Sequence, residues 1–206
     1  GVNDNANLGL ATGNVVLTAT ATIVDGDGDS ATDSQDLDIS GSFSFDDDLP
    51  TVDVGLVAEP VLPTLTTQDA DTIGAASDTA SGTFASLFTL TSDMGADDDG
   101  TAATLGYSLS VTTSATSLTS DGLAITVAKV GNDIVGSTSA GDIFKISVDA
   151  ATGEVTLTQY AEIDHLPEDV DGVNDNANLG LATGNVVLTA TATIIDGDGD
   201  SATDSQ

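Results

Sequence analysis

The segment GVNDNANLGLATGNVVLTATATIVDGDGDSATDSQ fills residues 1–35 and recurs at 172–206, with Val24 replaced by Ile195 as the sole change. Near-identity over 35 positions, at an offset of 171 residues, marks a recent tandem duplication. Solenoid units run to about 20–50 residues, so this period is too long for a stacked array and long enough for a self-standing domain. The chain reads as about 1.2 copies of a string of beads, out of phase with the beads themselves. The expected seam lies in SFSFDDDLPTVDV at residues 42–54, where an alternating strand runs into three Asp and then Leu49-Pro50. A proline there stops strand pairing and stiffens the exit. Residues 1–48 are expected to be the C-terminal part of an upstream repeat, and 49–206 the next repeat, lacking its last strand.

Periodicity predicts an all-β chain. Thr, Val, Ile and Ser dominate the patterned segments, and no capped 3.6-residue apolar stripe occurs. In residues 15–24, Val15, Leu17, Ala19, Ala21 and Ile23 fall on one side and mainly Thr on the other. Residues 142–149 and 154–160 predict a hairpin around Ala150-Ala151-Thr152-Gly153, with glycine where φ must be positive. Further strands are expected near 51–57, 83–91, 103–112 and 122–130, with loops at 64–82 and 92–101. Seven to nine strands joined by short polar turns point to an immunoglobulin-like β-sandwich repeat of about 171 residues.

Charge limits what such a sandwich can do. The chain carries 34 acidic side chains against two lysines, no arginine and one histidine, a formal charge of −32. Two lysines cannot neutralise a row of phosphates, so nucleic acid is excluded as a partner, and an anionic membrane surface with it. No apolar run reaches the roughly 18 residues needed to span a bilayer, and no signal peptide is expected at Gly1. Cysteine is absent, which removes disulfides and thiolate metal sites. Hydrophobic residues still make up 39%, enough for a core built from Val, Ile, Leu and Ala.

Only four of the acidic residues are glutamates: Glu59, Glu154, Glu162 and Glu168. Aspartate is the short carboxylate that suits turns and hard-cation coordination. Self-repulsion works against a compact state, and bound divalent cations relieve it. An acid-rich surface adapted to a salty habitat is the plain alternative.

The chief chemical signal runs from Asp25 to Asp36, where Asp25, Asp27, Asp29, Asp33 and Asp36 fall at positions 1, 3, 5, 9 and 12. Calcium takes six to eight oxygens, and a DxDxD loop can present three carboxylates to one point. Position 6 is Ser30, position 12 is Asp36 in place of Glu, and the flanks read as strands, which argues against an EF-hand and for a calcium-binding β-turn. The bland alternative is a hairpin turn, since Asp-Gly favours one by itself. Asp196, Asp198, Asp200 and Asp204 form the second copy. Asp46, Asp47 and Asp48 crowd the seam, where calcium would cross-link two beads. Asp169, Asp171 and Asp175, beside Glu168 and Asn174, make a further oxygen-rich run echoed by Asn3 and Asp4. Asp97-Asp98-Asp99-Gly100 reads as a solvated loop.

Enzyme chemistry finds no support. His165 has no second histidine or cysteine with which to hold zinc, and it reads as a hydrogen-bonded structural residue. No nucleophile elbow, Walker loop or GxGxxG pattern occurs, so no small-molecule substrate is expected. Lys129 and Lys145 are expected on strands, at the surface or in ion pairs.

Several phrases in order carry a resemblance: FSFDDDLPTV at 43–52, MGADDDGT at 94–101, YSLSV at 107–111, DGLAITV at 121–127, IFKISVDAATGEVTLTQY at 143–160, DHLP at 164–167 and TATATIIDGDGDSATDS at 189–205. Together they resemble the large tandem repeats of giant RTX-type adhesins of Gram-negative bacteria. That resemblance implies type I secretion, retention at the outer membrane on the cell surface, and an array of calcium-bound β-sandwich extender domains serving adhesion. The partners it implies are adjacent repeats of the same chain, with calcium as the cofactor. It carries the calcium role onto the Asp25-to-Asp36 loop and the seam aspartates. A calcium-dependent glycan-binding module is the rival reading, although Tyr107 and Tyr160 are few for an aromatic platform.

Overall fold

The computed structural model describes residues 7–165 and 178–206. Among these the chain is β-strand and connecting turn, with one-turn 3-10 segments at Ser40–Ser42, Asp69–Thr72 and Ala85–Leu87. The strands are β1 (Leu8–Gly9), β2 (Val16–Val24), β3 (Ser30–Asp38), β4 (Ser44–Phe45), β5 (Thr51–Leu56), β6 (Asp78–Thr83) and β7 (Phe88–Asp93). They continue as β8 (Thr101–Val111), β9 (Ala115–Ser120), β10 (Leu123–Val130), β11 (Asp133–Thr138), β12 (Gly141–Val148), β13 (Glu154–Gln159), β14 (Val186–Ile195) and β15 (Ser201–Ser205).

The body is a sandwich-like all-β fold. One layer is a six-stranded sheet in the order β6-β13-β12-β11-β10-β9, with every pairing antiparallel. The other is the sheet β15-β14-β8, with the pair β5-β7 packed alongside it. Strand β8 shows why the layers meet. Its alternate residues Ala103, Leu105, Tyr107, Leu109 and Val111 face inward, as a period-2 pattern requires. Leu109 and Val111 pack with Leu118, Ile125, Val127, Ile134, Ile143 and Phe144 of the large sheet. Ala103, Leu105 and Tyr107 pack with Val54, Phe88 and Leu90 from the β5-β7 pair. Ile125 and Ile134 are fully buried, and each such side chain contributes about 1.5–3 kcal/mol of transfer free energy.

The hairpin β12-β13 forms where the sequence places it. The Asp149 carboxylate accepts from the N–H groups of Ala151 and Thr152 at 2.9 and 2.8 Å, and Gly153 turns the chain at φ 66°. The predicted strand at 83–91 differs: a 3-10 turn at Ala85–Leu87 separates β6 from β7. The predicted loop at 64–82 likewise gives up Asp78–Thr83 to β6, which pairs with β13 along its length. Residues 63–65 lie across β6 at Gly82. A Cβ on Gly82 would stand 3.1 Å from Leu65 and 3.4 Å from Pro63. No bulky alternation therefore marks β6 in the sequence.

Among the described residues, strands β2 and β3 pair only with each other, and β1 only with β4. Every residue of β2 and β3 is exposed.

Gly136 sits opposite Phe144 in the β11-β12 ladder, beside a register shift. A Cβ there would fall 2.3 Å from the Phe144 ring, which is 3% exposed and held by the core cluster. Gly136→Ala is expected to destabilise by about 1–3 kcal/mol in denaturant melts, with Phe144→Leu in the same chain recovering part of the loss. An unchanged Gly136→Ala midpoint would refute this packing account.

Candidate metal centre

The turn between β14 and β15 is closed by its own aspartate. Asp196 N–H donates to the Asp200 carbonyl at 3.0 Å, and Asp196 Oδ1 accepts from Gly199 N–H and Asp200 N–H at 3.1 and 2.7 Å. Gly199 supplies φ 106°. The first copy builds the same turn: Asp25 Oδ1 accepts from Gly28 N–H and Asp29 N–H at 3.1 and 2.9 Å, with Gly28 at φ 101°. This side-chain-to-backbone geometry is what an Asp at the head of a turn favours.

Around the second copy two further loops close in. The β7-β8 loop brings up the Asp97 carbonyl, which accepts from Gly197 N–H at 2.9 Å. The β4-β5 loop brings up Asp48, whose Oδ2 accepts from Ala96 N–H at 2.9 Å. Glycines allow this approach. A Cβ on Gly95 would lie 1.7 Å from Asp48 Oδ2, one on Gly197 1.8 Å from Asp99 Oδ1, and one on Gly100 2.0 Å from the Ile195 carbonyl.

The convergence gathers charge. Asp47, Asp97 and Asp198 present carboxylate oxygens within 4.8 Å of one another, as do Asp196, Asp198 and Asp200. Asp198 belongs to both groups. Asp196 and Asp200 are buried at 4% and 3% exposure. Among the described residues no lysine or histidine forms an ion pair with Asp47, Asp97, Asp196 or Asp198; Lys145 pairs with Asp133 at 3.4 Å and His165 with Asp69 at 3.2 Å. Burial pushes the Asp47 and Asp97 carboxyls above the usual carboxylate value, and the charge of Asp198 adds to it in both. Burial also raises Asp196, helped by its contact with Asp198. Asp25 goes the other way, held low chiefly by a hydrogen bond with the Asp27 side chain.

The donor set is oxygen only, from short carboxylates on rigid turns, and it suits a hard divalent cation of the calcium type better than a softer metal. Asp25, Asp27 and Asp29 also gather within 4.8 Å, but all three are exposed.

Other candidates stand apart. Asp33 and Asp36 lie on β3, because the strand starts at Ser30 and carries them along the ladder away from the turn. Asp36 Oδ1 accepts from the Thr18 hydroxyl at 2.6 Å. The twelve-position spacing therefore does not wrap one centre. Asp204, the equivalent of Asp33, accepts from Val54 N–H at 2.8 Å. Asp46 joins neither group, and Asp48 acts as a loop tie. Asp169, Asp171 and Asp175 lie outside the described residues, as do Asn3 and Asp4. Asp97, read from the sequence as part of a solvated loop, sits at the convergence instead. Its signal was the glycine after the DDD run, which lets the loop touch the β14 end.

Raised carboxyls favour the fold while protonated, and that contribution is lost as pH rises through their folded values. In chelator at pH 7, Asp97→Asn is therefore expected to raise the melting temperature by a few degrees. The gain should shrink as the pH falls and the native aspartate takes up its proton. A variant that melts lower than the parent in chelator at neutral pH would overturn this electrostatic reading.

No curated protein and no solved structure matches the chain. Residues 64–206 match a family described as a domain of unknown function, DUF5801. The matched span takes in β6 to β15, including Asp97 and the whole second turn, and begins after the Asp46–Asp48 loop. With most of its length inside that match, the chain belongs to the DUF5801 family.

Proposed function

We propose that this chain is a structural spacer: a segment of a tandem array whose beads are stiffened by calcium in the turns and at the junctions. The observation that carries the reading is the meeting of Asp47 with Asp97 and Asp198. Asp47 lies on the near side of the expected seam between residues 1–48 and 49–206, and the other two lie beyond it. An ion held by these three would tie the linker to the repeat that follows. The five clustered carboxylates would hold calcium, which supplies charge neutralisation and a fixed coordination geometry. The chain's own part is to bring the oxygens together on glycine-cleared turns and to keep Asp196 and Asp200 out of water.

The resemblance to RTX-type adhesin repeats fits this reading. On this reading such an array would stand outside a Gram-negative cell, reached by type I secretion, and would hold distal binding modules away from the surface. Near-identical repetition suits a spacer, since length is the property that repetition multiplies. No catalytic role is proposed for any residue.

The glycan-binding alternative gains little from the tyrosines. Tyr107 is buried against Phe88, with ring centroids 5.8 Å apart, so it offers no face to a sugar. Tyr160 is 39% exposed and stands alone as a tyrosine platform.

Ligand that binds the folded state alone raises stability by mass action. EDTA is therefore expected to lower the melting temperature by more than about 10 °C, with calcium but not magnesium restoring it. Asp198→Asn should weaken calcium binding in titration calorimetry more than Asp27→Asn does, because Asp198 serves both groups. Melting indifferent to EDTA would end the calcium reading.

A further inference from the structure

Residues 15–35 and 186–206 build one hairpin twice. The registers agree: Thr20 faces Ser34 as Thr191 faces Ser205, and Ile23 faces Ala31 as Ile194 faces Ala202. The cross-strand threonine bonds agree as well, Thr22 to Thr32 at 2.9 Å and Thr193 to Thr203 at 2.8 Å. Geometry this alike on two different backgrounds belongs to the hairpin's own sequence.

Cover is what differs. Ile194 is 1% exposed and Ile23 is 71% exposed. The second hairpin is closed by two strands. β8 runs antiparallel along β14 from Val186 opposite Val111 to Ile195 opposite Thr101, and β5 lies beside β15, where Val54 N–H donates to Asp204. The inward face of β14 is Val186, Leu188, Ala190, Ala192 and Ile194; Val186 and Leu188 pack on the large-sheet cluster, and Ala190 and Ala192 with Val54 of β5 and Tyr107 of β8. The first hairpin carries the identical set at Val15, Leu17, Ala19, Ala21 and Ile23. The one substitution, Val24 for Ile195, falls on the opposite face, where both residues are exposed. A seat made by β8 and β5 has no side chain by which to tell the two hairpins apart.

We propose that the open face of β2-β3 docks into the β8-β5 seat of a second copy of this repeat, in the place that β14-β15 fills in its own. The docked strand pairs Val15 with the second copy's equivalent of Val111, and Asp33 accepts the N–H equivalent to that of Val54. The occupant follows from the internal duplicate, which displays the cover this surface takes. The proposal rests on the tandem-repeat part of the function above and is independent of calcium.

The test is complementation between chains of residues 1–206. An acceptor bearing Ala21→Asp, Ile23→Asp, Ala192→Asp and Ile194→Asp has neither hairpin fit to fill its seat. Labelled with nitrogen-15, it is mixed with an unlabelled donor, and amide exchange is followed on the acceptor's Thr101–Val111. The parent chain as donor is expected to slow that exchange at least about tenfold and to sediment with the acceptor. A donor bearing Ala21→Asp and Ile23→Asp, whose spare hairpin is spoiled, should do neither. Equal effects from the two donors overturn the proposal, whether or not the acceptor folds alone, and so does an acceptor whose β8 is fully protected without a donor. Running both mixtures in calcium and in EDTA separates the readings. Failed complementation beside an EDTA-sensitive melt removes hairpin exchange and leaves the calcium spacer standing. Complementation in EDTA with an EDTA-indifferent melt does the reverse.

Discussion

Repulsion among carboxylates is the constraint under which this molecule is built, and it is concentrated where three loops meet. Asp47, Asp97, Asp196, Asp198 and Asp200 crowd one end of the β14-β15 hairpin. At an effective dielectric near 20, two unit charges 4 Å apart cost about 4 kcal/mol. Backbone donors offset part of this, since Asp196 takes two N–H groups, but they do not neutralise it. The glycines at 95, 100 and 197 show that the crowding is constructed: each removes a side chain that would hold the loops apart. A fold that merely tolerated acidic residues would spread them over its surface, as β3 does.

The same end of the hairpin joins local and global order. β14 stands at the centre of its sheet, between β8 and β15, and its inward alanines 190 and 192 pack with Val54 and Tyr107. The loops that bring Asp47 and Asp97 lead directly into β5 and β8, the two strands that cover the hairpin. A cation at the loops would therefore act on strand packing as well as on charge, so that melting and stiffness would change together.

What the sequence discloses depends on whether a residue's role is written in its neighbours. The alternation at 15–24 and the Asp149-to-Gly153 turn were legible because both are local, and the all-β sandwich follows from them. β6 was hidden because Gly82 leaves room for Pro63 and Leu65, a contact that no short window contains. β3 was hidden because SATDSQDLD has no apolar side to alternate. Its pairing comes from the β2 backbone and from bonds such as Thr18 to Asp36. The turn aspartates were legible as a cluster, but Asp97 lies about a hundred residues from Asp198, and only the fold brings them together. Asp36 shows the converse: its spacing imitates a loop ligand, while the strand carries it away.

The duplicated hairpin also bears on how an array of such beads changes over generations. Unequal crossing-over joins two copies wherever their coding sequences agree, and residues 1–35 agree with 172–206 at all but one position. A recombination event within these stretches exchanges like for like. In such an array the product would gain or lose a whole bead, and each β8-β5 seat would still receive a hairpin with the same inward face.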